Sequence, residues 1–392
     1  MEFRNLTPFS AMEYAQDNKE GRRFHVVAMK TAFQLEQAND GRWQAVLQTS
    51  PALPLNREDM FSGAVNVSSV LCESDFTFLK PACDVIVMGT AFTPKGTPMT
   101  QSNARVRLRT CSGAILLDKS VRVTGQRYYR REQLTGQWYE TEPARFTSLK
   151  LDYRYAFGGE CRIDAGSKYA ARIPESIRLS DEQRAEHPDK NNPPLAHTVC
   201  PFNPLGQGYS PSWFLRACDV NQVEAPRILS TENPFTLEHF VDAQKESLEW
   251  AAPEFRPAGF GILGRSWLPR RSLAGTYDQT WLENVHPALP KDFDCRYWNG
   301  APEDQQIPYP KPGTNICLSG FHPEGDIAFT LPKGQAEILL RMNSGELIPQ
   351  RMWIDTLHID ADALMGALTW RFLLPVAPDI RVIEVRYAGE GV

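Results

Sequence analysis

Apolar and polar residues alternate with a period of two over the first third of the chain, the pattern that sends successive side chains to opposite faces of a strand. Val27, Met29, Thr31, Phe33 and Leu35 share one face, with Lys30, Gln34 and Glu36 on the other. Asn39-Asp40-Gly41 supplies residues that tolerate positive φ at a tight reversal, and Trp43, Ala45 and Leu47 resume the alternation, so a β-hairpin is predicted here. The apolar run Val85-Ile86-Val87-Met88, inside 84–92, predicts a strand covered on both faces. Arg105, Arg107 and Arg109 interleave with Val106 and Leu108, and Ser112-Gly113 then turns the chain into a strand over 115–123. The pattern predicts a β-sandwich or a similar antiparallel assembly for the N-terminal region.

The centre has a different texture. Prolines and glycines are dense from Pro174 to Pro312, with few long periodic segments between them. Two short helices are predicted: one over 236–250, where Leu237, Phe240, Val241, Gln244 and Leu248 follow helical spacing, and one after Asp278, with Trp281, Leu282 and Val285 facing inward. The polar stretch 180–194, closed by Asn191-Asn192-Pro193-Pro194, reads as an exposed linker or insertion. It divides the chain into an N-terminal β-rich domain, 1–179, and a region of loops and β-structure, 195–392. Strand patterns return at the end: Ala336, Ile338, Leu340 and Met342 alternate before Asn343-Ser344-Gly345, followed by Leu357 with Ile359, Trp370 with Phe372, and Ile383 with Val385 and Tyr387. The expected class is mainly β, a β-rich α+β chain of antiparallel sandwich-like halves around a loop-rich centre with a few short helices.

Composition narrows the function. The 392 residues are 42% hydrophobic and 23% charged, as in folded globular proteins, and they suffice for two or three domains. The 42 Lys and Arg against 47 Asp and Glu, for a net charge of −5, leave no basic footprint for nucleic acid. The segment 1–17 mixes charges with isolated apolar residues and lacks the apolar core of a signal peptide. The most apolar stretch, 363–378, is broken by Arg371 and Pro375, short of a membrane span. Eight scattered cysteines without metal-ligand spacing read as reduced, mostly buried side chains, and the expected location is the cytoplasm.

No reaction centre stands out. There is no GxSxG elbow, no Walker motif and no complete dinucleotide fingerprint, so Gly158-Gly159 and the Gly206-x-Gly208 spacing read as turn glycines. His187 and His197 read as exposed loop histidines without a third metal ligand. Asp292 and Asp294, with Glu303 as a further acid, are candidates for a glycoside-hydrolysing carboxylate pair. The competing reading has both aspartates accept backbone N–H groups in a loop. No cofactor and no metal are expected.

Several longer motifs crowd the centre. They are Tyr155-Ala156-Phe157-Gly158-Gly159, Asn203-Pro204-Leu205-Gly206-Gln207-Gly208-Tyr209, Pro257-Ala258-Gly259-Phe260-Gly261, Trp267-Leu268-Pro269-Arg270, Gly275-Thr276-Tyr277-Asp278, Leu289-Pro290-Lys291-Asp292-Phe293-Asp294, and Asn299-Gly300-Ala301-Pro302-Glu303-Asp304-Gln305-Gln306. In content and order they resemble the bacterial domain-of-unknown-function 2169 family, along nearly the whole chain from Asn5 to Asp360. The resemblance implies a non-catalytic adaptor or chaperone of type VI secretion, which binds an effector and helps load it onto the VgrG spike or its PAAR tip. It carries no catalytic residues. Physically, Gly158, Gly159, Asn203, Gly206, Gly208, Gly259, Gly261, Gly275, Asp278, Asp292, Asp294 and Gln305 read as residues that shape the fold. Arg270, Arg271 and Tyr277, with Trp267 and Trp281, have the residue types that dominate protein-binding hot spots and are the candidates for partner contact.

Overall fold

The chain is mainly β, with several sheets and a few short helices. A computed structural model describes residues 1–245 and 255–389. By contacts the chain falls into two interleaved units, one made of 1–90, 105–119 and 260–392, the other of 91–104 and 120–259. This division differs from the one read at 180–194, because that polar stretch lies wholly inside the second unit. Its physical origin is long-range strand pairing, which ties the beginning of the chain to its end.

In the first unit the predicted hairpin forms from the strands Arg23–Gln37 and Trp43–Gln48. Arg23–Gln37 is buried on both faces from Val26 to Phe33, so Lys30 is not on a wet face as the alternation implied. The C-terminal strand Met365–Pro375 covers one edge of it, with Trp370 opposite Met29 and Arg371 opposite Ala28. Trp353–Asp360 pairs next, then Cys83–Met88, the doubly covered strand the sequence predicts. The pairing of those last two is parallel, so the sheet is mixed rather than purely antiparallel.

A second sheet in this unit joins Glu2–Asn5, Ile380–Ala388, Gln335–Met342 and Leu347–Arg351, and its first pair is also parallel. Phe9 and Trp370 both meet Tyr387 edge to face, with ring centres 5.0 and 6.3 Å apart, which fixes the two sheets against each other through aromatic edges. In a five-stranded sheet the end of the strand Gln101–Arg109 lies beside Asn315–Ser319, which pairs with Ile327–Thr330.

The second unit has an aromatic core. Phe157 stacks on Phe235 at 4.1 Å, Tyr129 lies 4.7 Å from Phe240, and Trp213 is fully buried among them. Its strands are short. Its predicted helix is realised as Leu237–Ala243, capped by Thr236, whose hydroxyl accepts from the His239 N–H. Leu248 and the rest of the predicted helix from 246 to 250 lie outside the described residues. The stretch at 180–194 begins with a helix, Asp181–Glu186, started by a capping box between Ser180 and Gln183.

Candidate functional site

Two of the quoted motifs build one knot in the second unit. Phe157-Gly158 and Gln207-Gly208 pair as parallel strands, and the buried Asn203 side chain donates to the carbonyls of Tyr153 and Phe157 at 2.8 and 3.0 Å. Gly158 has φ +148°, and a Cβ there would sit 2.1 Å from the Asn203 carbonyl oxygen, so only glycine fits. Gly159 donates its N–H to the Asn203 carbonyl, and Gly206 and Gly208 complete the same crossing. Gly259 lies against the Tyr153 ring. At this crossing these residues shape the backbone.

The remaining motifs converge on the first unit, around charges that the sequence reading did not single out. Asp84, fully buried, accepts from the Asn299 side chain at 2.9 Å and from the Gly300 and Ala301 N–H groups at 2.9 and 3.2 Å, and it pairs with Lys80 at 2.8 Å. Gln305 donates to the Val85 and Phe260 carbonyls at 2.7 and 3.0 Å, and Gly261 is buried next to Phe260. Arg270, 3% exposed, pairs with the buried Glu73 at 2.7 Å and donates to the Leu263 and Tyr297 carbonyls. Arg265 adds a second contact to Glu73 at 3.2 Å and holds Asp59 at 2.8 Å.

A cavity of about 190 Å³ opens among these pairs, lined by Lys30, Glu73, Asp75, Lys80, His358 and Arg371 together with apolar neighbours such as Ile86 and Ile262. Lys30 pairs with Asp75 at 2.6 Å, and Thr369 donates to the other Asp75 oxygen at 3.0 Å. Arg371 is fully buried, paired with Asp355, and donates to Tyr14 Oη at 2.7 Å. Burial opposes the charges on Glu73, Lys80 and Arg371, and their partners outweigh it. Glu73 is held below the ordinary glutamate range by Arg270 and Arg265, while Lys80 is raised by Asp84, Asp355 and Glu73. Burial pushes the Cys72 thiol up and the His358 imidazole down, so both line the cavity in neutral form at neutral pH. Buried charges satisfied in this way fix how the strands meet. The signal in the sequence was the presence of Lys30, Asp84 and Arg371 inside otherwise apolar strands.

The candidate partner residues separate. Arg270 and Trp267 are buried and hold the fold, which removes them from any exposed surface. Arg271 is exposed, and Tyr277, 53% exposed, meets the half-buried Trp281 edge to face at 4.7 Å. Trp281 stands on the helix Gln279–Asn284, capped by Asp278, whose carboxylate accepts from the Trp281 N–H. Leu282, predicted to face inward, is instead 54% exposed, because the short helix leaves one side bare. Tyr277, Trp281 and Leu282 thus form an apolar surface cluster. Gly275, φ +81°, precedes it at a point where a Cβ would press on Asp292 Oδ1 at 2.9 Å.

Asp292 accepts from the Thr276 N–H at 3.0 Å and the Thr276 hydroxyl at 2.8 Å, and Asp294 accepts from the Arg296 N–H at 2.9 Å and pairs with its guanidinium. Both are turn-capping carboxylates. His187 and His197 are half-buried and hydrogen-bonded at 3.0 Å, with Glu160 on the far nitrogen of His197 at 2.9 Å, rather than exposed and independent. Among the described residues no group of three or more His, Cys, Asp or Glu side chains is arranged to hold a metal ion. All eight cysteines are free, but only Cys83, Cys161 and Cys200 are buried, fewer than expected, and Cys111 is exposed. No helix among the described residues is long and apolar enough to cross a membrane.

A mainly-β protein whose motif residues knot backbone and pair charges in its interior is the class that the fold and this arrangement define. The chain belongs to the DUF2169 family, described as an uncharacterized protein conserved in bacteria, whose model matches residues 20–371. Neither the curated proteins nor the solved structures contain a significant match to it.

Proposed function

We propose that this protein is an effector adaptor of type VI secretion, which binds an effector polypeptide in the cytoplasm and promotes its loading onto the VgrG spike or its PAAR tip, by binding rather than by chemistry. The observation that carries the reading is the family match over 20–371, which includes every central motif from Tyr155-Ala156-Phe157 to the segment ending at Gln306. The fold supports it in physical terms. The interior charges are matched with partners, whereas Tyr277, Trp281 and Leu282 present aromatic and aliphatic area at the surface, where a cargo segment gains by covering them.

The test is co-expression with effector candidates encoded beside the gene and with VgrG and PAAR proteins, followed by pull-down and size-exclusion chromatography. The expected result is a discrete complex containing an effector that becomes insoluble or undelivered without this chain. An effector that stays soluble and is delivered normally in its absence overturns the reading.

A further inference from the structure

A groove of the first unit lies away from the charged cavity, with no lining residue in common with it. It has a volume of about 860 Å³, near the top of the roughly 300–1,000 Å³ that ligand pockets occupy. Its floor is the open face of the five-stranded sheet, where the register sets two rows across three strands: Arg109, Asn315 and Thr330 in one, Arg107, Cys317 and Ala328 in the other. The opposite face of these strands, with Val106, Leu108, Ile316 and Phe329, is buried. The wall is the hairpin tip, where Trp43 meets His322 edge to face at 5.8 Å.

Positive charge is in excess on the floor, where Arg107 and Arg109 share the nearby Asp118 carboxylate with Arg105. Arg107 and Arg109 make no side-chain hydrogen bond or ion pair among the described residues, while the neighbouring Arg105 holds Asp118 through two bonds of 2.6 Å. At the rim Asp40 is taken by Arg42. Two guanidiniums are therefore left facing the groove, two residues apart on one strand and on one face, which spaces their Cα atoms at about 6.6–6.8 Å. An extended polypeptide carries its own alternate side chains at the same interval.

We propose that this groove is a docking site for an extended acidic segment of another polypeptide, with carboxylates at alternating positions received by Arg107 and Arg109 and an intervening apolar side chain against Trp43. Guanidinium and carboxylate match as planar forks, so each arginine can bind one carboxylate through two bonds. Asn315, beside Arg109, accepts from the Thr330 hydroxyl at 3.0 Å, which leaves its amide nitrogen as a further donor. A nucleic-acid strand is the less favoured occupant, since the chain carries a net charge of −5 and Asp40 stands at the rim. The inference stands independently of the adaptor reading, because it rests on the groove alone.

Fluorescence anisotropy of the full chain tests it with a short labelled peptide that alternates Asp with Thr and Val, a composition-matched peptide with its Asp residues contiguous, and a labelled oligothymidylate. The alternating peptide is expected to bind best, more weakly at high salt, and the double variant Arg107→Glu/Arg109→Glu to weaken it by about tenfold or more. Both residues are on the solvent face, so circular dichroism should show the variant folded; Arg107→Gln/Arg109→Gln, which leaves the neutral amides, is the second variant. Equal binding of the two peptides, unchanged affinity in both variants, or tighter binding of the oligothymidylate overturns the proposal.

Discussion

Arg270 and Glu73 lie 197 positions apart in the chain and meet as a buried pair, with Nη1 donating to Oε1 at 2.7 Å. Removing Glu73 leaves Arg270 charged with only carbonyl partners, and removing Arg270 leaves the buried Glu73 with Arg265 alone at 3.2 Å. Arg270→Met and Glu73→Gln should therefore each destabilise the fold by about 3–5 kcal/mol, while the double variant Arg270→Met/Glu73→Leu should cost clearly less than their sum. Urea denaturation reads both. A loss below about 1 kcal/mol for either single variant, the range of an exposed pair, would contradict the assignment. Because the Glu73 carboxyl titrates below its unfolded value of about 4.3, its contribution is present above that pH and lost as the pH falls through the folded value.

That pair also marks where sequence reading stops. The hairpin over 23–48 and the strand around Val85 were legible because alternation, β-branched runs and Asn-Asp-Gly turns are local signals. The partners of those strands were not, since Glu2–Asn5 pairs with residues 382–385 and no local pattern encodes a parallel contact between the chain ends. Alternation put Lys30 on the face opposite the apolar one, and what buries that face is distant in sequence, including Asp75, which pairs with Lys30. Arg270 and Trp267 were taken as partner contacts on residue type. The chemistry that makes arginine and tryptophan good at interfaces also makes them good at filling and neutralising an interior.

The surface cluster on the Gln279–Asn284 helix should behave in the opposite way to Arg270. Tyr277→Ala and Leu282→Ser remove exposed area, so each should change stability by no more than about 0.5 kcal/mol. On the adaptor reading the same variants weaken capture of the effector in a pull-down. Unfolding of either would show that the cluster is structural, and unaltered capture would move the cargo surface elsewhere.

In the knot of the second unit, Asn203→Ala would remove two buried hydrogen bonds, those its side chain donates to the Tyr153 and Phe157 carbonyls. The Tyr153 carbonyl keeps the Ala156 N–H, so at about 0.5–1.5 kcal/mol net for each lost bond the expected loss is roughly 1–3 kcal/mol. Gly158→Ala should be at least as damaging, because the added methyl meets the Asn203 backbone, which cannot swing aside as a side-chain end can. Thermal unfolding with near-ultraviolet circular dichroism checks both, since the aromatic core beside the knot reports its packing. If either variant melts with the wild type, the Asn203 crossing is not what holds these motifs together.

The contact between His187 and His197 predicts a pH dependence with a definite sign. His187 Nδ1 accepts from the Asp189 N–H at 3.1 Å, so the ring proton sits on Nε2 and is donated to His197 Nδ1, while His197 Nε2–H points to Glu160. A second proton on His187 would have to displace the Asp189 hydrogen bond. Burial, reinforced by His197 and Arg162, lowers the His187 pKa, with Asp189 pulling weakly the other way. The unfolded chain therefore binds the proton more readily, and the stability due to neutral His187 is present above about pH 6.5 and declines as the pH falls from there toward the folded value. Urea midpoints measured between roughly pH 7.5 and 5.5 should fall on acidification, and His187→Gln, whose amide can still donate to His197, should flatten that slope. Parallel slopes for the two proteins would show that the pair does not titrate with folding.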